Sequence, residues 1–185
     1  MIHPAVFLDR DGTINEEMGY INHITRFVLL PGAMAGIRRL NEAVVKVVVV
    51  TNQSGAARGY FPESLIDEIN AQMTRLLAAG GAHLDGIYTC RHGPDAGCPC
   101  SKPGTALLEQ AVRDLHLDLT RSYLVGDRFK DVETAANARL KGILVLTGYG
   151  RGELAHLGPA QKVQPVYVAP DLLDAAAWIL ADLGK

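Results

Sequence analysis

The sequence predicts an α/β fold, a doubly wound and mostly parallel sheet with helices on both faces. Short apolar segments alternate along the chain with longer segments of helical period. The run Lys46–Thr51 is almost continuous valine, as in a strand buried on both faces. Hydrophobic residues make up 48% and charged residues 21% of 185 residues, the balance of a globular protein long enough to bury a real core.

Each element has its own signal. Ala5–Asp9 reads as the first strand, an apolar run ended by a carboxylate. Met34, Ile37, Leu40 and Val44 recur with helical spacing, which predicts a helix from Gly32 to about Ala43. After the Lys46–Thr51 strand, Leu65, Ile66, Ile69, Met73, Leu76 and Leu77 mark a second helix, started after Pro62 and stopped by Gly80-Gly81. Asp85–Thr89 is a third strand, and Leu107 to Leu115 a third helix entered through Pro103-Gly104. Tyr123–Asp127, Gly142–Thr147 and Val163–Val168 complete the predicted strands, with helices at Val132–Leu140 and Leu172–Leu183. One domain, 1–185, is expected, with no repeat and no linker. Two stretches break the rhythm: 13–31, long enough to be a flap or small hairpin, and the Gly-, Pro- and Cys-rich loop 90–102.

Composition excludes several classes of function. A net charge of −2, without a basic run or a stacking-aromatic cluster, gives no reason to expect nucleic acid as a partner. No apolar run is long enough to span a membrane, and no signal peptide is recognisable, so a cytoplasmic protein is expected. Three cysteines cannot build a disulfide framework. A monomer is expected, because no apolar stripe is left over.

The chemistry gathers at strand ends. Asp9 and Asp11 follow the first strand in Asp9-Arg10-Asp11-Gly12-Thr13, and carboxylates so placed repel unless a cation or a proton relieves them. As a bare segment this could equally be a strand-to-turn junction. Thr51 ends the second strand, Asp127 the fourth with Asp131 close behind, and Lys102 precedes a helix. A nucleophilic carboxylate, a proton-handling one, a hydroxyl, a lysine and an acidic pair make a phosphoryl-transfer set.

These motifs, in this order, resemble the haloacid-dehalogenase superfamily of phosphotransferases. Asp-Arg-Asp-Gly-Thr matches its first motif, Val-Val-Thr-Asn its second, Lys102 its third, and Gly-Asp followed by Asp131 its fourth. The resemblance implies a fold without a large cap domain and a set of roles. Asp9 would form an aspartyl-phosphate. Asp11 would protonate the leaving oxygen and later activate water, while Thr51 and Lys102 would bind the phosphoryl group. Asp9, Asp127 and the Asp11 carbonyl would hold Mg²⁺, with Asp131 supporting the metal or its waters. Asp131 could instead be a helix N-terminal charge, and Lys102 a solvated loop lysine.

Cys90, His92, Cys98 and Cys100 bring all three cysteines and one of six histidines within eleven positions, the ligand set of a closed, structural Cys₃His zinc site. Buried free thiols are the alternative. With the zinc loop, the sequence resembles the heptose-1,7-bisphosphate 7-phosphatases of lipopolysaccharide-core heptose synthesis, and their kin, the histidinol-phosphatase domains. The implied partner is a small sugar phosphate. The heptose enzymes imply substrate contacts at Glu17, Met18, Gly19 and Tyr20, at Asn52, Gln53 and Ser54, and at Arg128, which could also be a surface residue. Ser101 stands where those enzymes usually carry an Arg, and Ser cannot supply its bidentate clamp. Arg58 or Arg91 could replace that cation, although either could be an ordinary surface charge. A histidinol-phosphate phosphatase is the runner-up enzyme. Outside enzymes, a phosphorylated receiver domain uses Asp, Thr, Lys and Mg²⁺ on a parallel sheet, but needs its reactive Asp after a later strand. A zinc-dependent interaction module would leave the carboxylates unexplained.

Overall fold

The structure, a computed structural model, describes residues 3–185. Six strands form one sheet, every neighbouring pair parallel: β1 (Ala5–Leu8), β2 (Lys46–Asn52), β3 (Gly86–Cys90), β4 (Tyr123–Gly126), β5 (Lys141–Val145) and β6 (Tyr167–Ala169). The order is β3-β2-β1-β4-β5-β6. The chain steps outward from β1 to β3, returns past β1, and steps outward the other way. Such a reversal leaves a crevice at the carboxyl ends of the two middle strands, where open α/β sheets bind ligands.

Alternation along each strand serves two helical layers. Val6 and Leu8 of β1 and Val47 and Val49 of β2 face α1 (Ala33–Glu42), α2 (Ser64–Ala79) and α6 (Leu172–Asp182). Ala5, Phe7, Val48 and Val50 face α3 (Ala106–Leu115), and Leu124 and Ala135 bring β4 and α4 (Phe129–Asn137) to the same side. Ile37 and Leu40 of α1 are fully buried, and truncating either to Ala should cost about 2–5 kcal/mol.

Three expectations shift. The fourth helix begins at Phe129 rather than Val132 and ends at Asn137. Arg128 is extended, and the Asp131 carboxylate accepts its backbone N–H at 3.2 Å, starting the helix a turn early. Beyond Asn137, Arg139 has positive φ, which no helix continues. The last strand is only Tyr167–Ala169, because Pro165 has no N–H to give a ladder. The segment after β5 carries a helical turn, α5 (Gly150–Gly152), running on through wider and tighter turns to Ala160. The 13–31 stretch folds as a hairpin-like flap: Glu16 N–H donates to Val28 O and Leu30 N–H to Ile14 O, both at 2.9 Å. No helix among the described residues is long and apolar enough to cross a membrane.

Candidate active site

Asp9 follows β1 directly, and its N–H donates to the Val125 carbonyl of β4 at 2.9 Å. It therefore sits on the switch point. Lys102, only 6% exposed, lies 2.8 Å from the Asp9 carboxylate and 2.5 Å from that of Asp131, bridging the two. Asp9, Asp127 and Asp131 each offer an oxygen within 4.8 Å of the others. Burial pushes Asp9 up to about 6 against the pull of Lys102. Burial, and next the Asp9 charge, push Asp127 up to about 8, although the Tyr149 N–H donates to it at 2.8 Å. Burial also weakens the Lys102 charge, but Asp131 and Asp9 outweigh it and hold the lysine protonated beyond its ordinary range. Carboxylates that resist ionising together, with only oxygen donors, suit a hard divalent cation.

Asp127 is reached by two glycine turns. Gly12 has φ +81° and Gly148 φ +51°, and a Cβ on either would lie 2.1 Å from an Asp127 oxygen. The first turn, the turn after β5 and the carboxylate therefore pack against each other with no side chain between them.

The Asp11 carboxylate is held apart from the Asp9, Asp127 and Asp131 cluster. Its oxygens accept from Arg10 Nη2 at 3.0 Å, Asn15 Nδ2 at 2.8 Å and Gln53 Nε2 at 2.7 Å. Gln53 Nε2 also donates to the Thr51 hydroxyl at 2.9 Å, linking the end of β2 to Asp11. Asn52 ties β2 to the loop before α3: its Nδ2 donates to Ser101 Oγ at 3.2 Å and its Oδ1 accepts the Lys102 N–H at 3.2 Å.

Above these groups is a cavity of about 370 Å³. Glu17, Gly19 and Tyr20 of the flap, Asn52, Gln53, Ser54 and Arg58 after β2, Ser101, and Arg128 all line it. Met18 does not; its carbonyl accepts Tyr20 N–H at 2.9 Å and so shapes the flap. Burial raises the Glu17 pKa, and its Oε1 accepts the Gly19 N–H. Arg91 does not line the cavity; Glu63 at 3.2 Å and Asp67 at 2.5 Å engage it. Arg58, Arg128 and Lys130 line the cavity, and none forms an ion pair among the described residues.

The sulfur and nitrogen donors converge at the end of β3. Cys90 and Cys98 Sγ are 3.5 Å apart, Cys98 and Cys100 Sγ 3.3 Å, and His92 Nδ1 is 3.1 Å from Cys100 Sγ. Four ligands on a tetrahedral zinc with bonds of about 2.3 Å to sulfur sit under about 4 Å from each other, so this set fits. Interactions with its neighbouring thiols, first Cys100, lower Cys98 to about 7, whereas burial, Cys90 and Cys98 push Cys100 up to about 12. The loop continues directly into Ser101 and Lys102.

The first motif contains Arg10 but gives no sign of its role; it is 1% exposed and donates to Asn70 of α2 at 3.1 Å besides holding Asp11. Its place between the two motif carboxylates is the one hint in the sequence. Lys130 and Tyr149 at the mouth belong to no motif either. The strand order also removes the receiver alternative, whose fold runs 2-1-3-4-5; here β3 ends on Cys90 and carries no reactive Asp.

Comparison with known proteins agrees with this geometry. Residues 99–175 match a family model described as HAD-hydrolase-like. The chain is 40% identical to the D-glycero-D-manno-heptose-1,7-bisphosphate 7-phosphatase of Thermosynechococcus vestitus, over 99% of this chain and 98% of that protein. It is 37% identical to the D-glycero-beta-D-manno-heptose-1,7-bisphosphate 7-phosphatase of Escherichia coli K12, covering 97% and 90%. The crystal structure of the D,D-heptose 1,7-bisphosphate phosphatase of B. bronchiseptica, complexed with magnesium and phosphate, superposes with a TM-score of 0.89 at 36% identity, covering 97% of this chain and 99% of that one. With its strand-end carboxylates, bridging lysine and parallel sheet, the chain is a phosphoric monoester hydrolase and belongs to the haloacid-dehalogenase-like phosphatases, in the family of the heptose-1,7-bisphosphate 7-phosphatases.

Proposed function

We propose that this enzyme hydrolyses the 7-phosphate of D-glycero-D-manno-heptose 1,7-bisphosphate, in the synthesis of nucleotide-activated heptose, through an aspartyl-phosphate on Asp9. The observation that carries this is the separation of the two motif carboxylates. Asp9 shares its surroundings with Lys102, Asp127 and Asp131, while Asp11 is held apart by Arg10, Asn15 and Gln53. This separation supports attack by Asp9 and proton transfer by Asp11. The names of relatives 37–42% identical supply the substrate.

An Asp9 oxygen attacks phosphorus in line, and the bond from phosphorus to the sugar oxygen breaks. Asp11, protonated, gives its proton to that oxygen. Once ionised, it takes a proton from the water that cleaves the aspartyl-phosphate and releases inorganic phosphate. Thr51 and Lys102 hold the phosphoryl oxygens through both steps, the lysine as a buried fixed charge. Asp9, Asp127, Asp131 and the Asp11 carbonyl would hold Mg²⁺, which supplies charge neutralisation at the phosphoryl group. Cys90, His92, Cys98 and Cys100 would hold a structural zinc with no open position, fixing the loop that carries Ser101 and Lys102. Glu17, Gly19, Tyr20, Asn52, Ser54, Arg58, Ser101 and Arg128 surround the sugar and its second phosphate.

The test is a substrate panel with Mg²⁺: both anomers of heptose 1,7-bisphosphate, heptose 7-phosphate and histidinol phosphate, with the product's remaining phosphate located by ³¹P NMR. A heptose 1-phosphate product, formed faster than phosphate from histidinol phosphate, is expected. Faster turnover of histidinol phosphate would overturn the substrate and leave only the phosphatase.

A further inference from the structure

One contact at the cavity mouth plays no part in the chemistry above. The Arg128 guanidinium lies over the Tyr149 ring, 4.1 Å from Cζ to the ring centre. Both residues line the cavity and both are exposed, Tyr149 at 40%. Among the described residues the Arg128 side chain has no ion-pair partner. The Arg128 charge acts on Glu17 across the cavity mouth, but the Glu17 Oε1 accepts the Gly19 N–H.

We propose that Tyr149 is a positioning residue for Arg128, and that the stacked pair grips the second, non-reacting phosphate of a sugar bisphosphate. This deepens the substrate reading above and rests on it. A guanidinium paired with a carboxylate has its donors engaged. Stacked on a ring face, it keeps its charge held in place while its N–H fork remains directed outward in the guanidinium plane, the shape that takes phosphate bidentately. Stacking also removes in advance part of the side-chain freedom that binding would otherwise cost.

The mounting sets a distance as well as an orientation. Arg128 adjoins Asp127 in the chain, and the Tyr149 backbone N–H donates to the Asp127 carboxylate at 2.8 Å. Gly148, just before Tyr149, packs so closely that a Cβ would lie 2.6 Å from the Gly12 Cα. Both halves of the grip thus hang from the carboxylate beside the reacting centre through short stretches of main chain. The span from scissile phosphate to second phosphate is fixed by backbone, and a sugar carrying a single phosphate leaves the grip unused.

Four enzymes decide the matter in steady-state hydrolysis of heptose 1,7-bisphosphate and of heptose 7-phosphate: Tyr149→Leu, Tyr149→Phe, Arg128→Ala and the double variant Arg128→Ala/Tyr149→Leu. Tyr149→Leu should raise KM for the bisphosphate about 3- to 10-fold, the range of one cation–π contact, with kcat shifted by less than about twofold. KM for the monophosphate should rise by less than half as much. Tyr149→Phe keeps the ring and should restore the parent preference. On the Arg128→Ala background, Tyr149→Leu should add almost nothing, because its partner is gone. Additive losses, a Phe variant as impaired as the Leu variant, or equal effects on both substrates would overturn the inference. Should Tyr149→Leu not fold, Tyr149→Trp gives the same decision: a larger ring face keeps or lowers KM, and a KM raised for both substrates equally overturns the proposal. Failure of the substrate reading looks different. An unsubstituted enzyme with no preference for bisphosphate over monophosphate overturns both, whereas a preference left unchanged by Tyr149→Leu overturns this inference alone.

Discussion

The floor of the cavity and its mouth are built on opposite principles. On the floor, Asp127, Asp131 and Lys102 are 1%, 2% and 6% exposed, and each polar group is held by another from a different segment of the chain. At the mouth, Tyr20 is 37% and Tyr149 40% exposed, Arg58, Arg128 and Lys130 carry no ion pair among the described residues, and the walls are loops and the first turn of α4. A buried network fixes geometry to within a fraction of an ångström and suits bond making. A solvated rim can change residue by residue without disturbing the floor. Reaction and selectivity are therefore separable in this molecule, and substitutions should sort by layer.

The sharpest way to break that division is at Asp9. Asp9→Asn removes the nucleophile while keeping the shape, and phosphate release should fall by roughly 10⁴-fold or more for every substrate. Turnover near the parent rate would end the mechanism. Asp11→Asn should be milder and dependent on the leaving group. Hydrolysis of a sugar phosphate should drop by about 10²- to 10⁴-fold, the usual contribution of general acid–base catalysis. With p-nitrophenyl phosphate, whose leaving oxygen needs little protonation, a burst of phosphoryl-enzyme should still be seen by rapid quench.

Between floor and mouth stands the Cys/His loop that leads into Lys102. Cys98→Ser should take zinc from about one per chain to near none by elemental analysis and lower Tm by roughly 5–15 °C, since a structural zinc contributes several kcal/mol to the fold around it. Unchanged metal content in protein purified without chelator would refute the site. The smallest effect is expected at the rim. Ser101 Oγ accepts from Asn52, and Ser101→Arg adds a cation beside the second phosphate without touching Asp9. One charge-assisted contact is worth roughly 1.5–3 kcal/mol, so the ratio of kcat/KM between α and β anomers should move by about tenfold or more while kcat stays within a few-fold. An unmoved ratio would mean that position 101 does not face the anomeric phosphate.

The same division governs how much of the molecule is legible in its sequence. Asp9, Thr51 and Asp127 are legible because each closes a short apolar strand, and a parallel sheet brings all such ends to one edge. The Cys/His set is legible because its members are neighbours in sequence. Arg10 is not, since its bond to Asn70 spans sixty residues. Tyr149 follows β5 in a stretch with neither strand nor helix period, and its position depends on the φ of Gly148 and the depth of Asp127. Hydrophobic period puts the start of α4 three residues late because that period is weak there, while the Asp131–Arg128 bond that sets it is local polar chemistry. Asp131 reads in sequence as either a helix-end charge or a site residue, and it is both: its Oδ2 accepts the Arg128 N–H and its Oδ1 faces Lys102.

That double engagement couples catalysis to backbone motion. When α4 frays, the Arg128 amide loses the oxygen whose twin faces Lys102, so the first turn cannot open without disturbing the charges around Asp9. Hydrogen–deuterium exchange at that one amide becomes a gauge of occupancy: protection should rise when a phosphate analogue steadies Lys102, and should fall when Lys102 is replaced by Met. The opening of one peptide group, followed without any turnover, then reports whether the reaction centre is assembled.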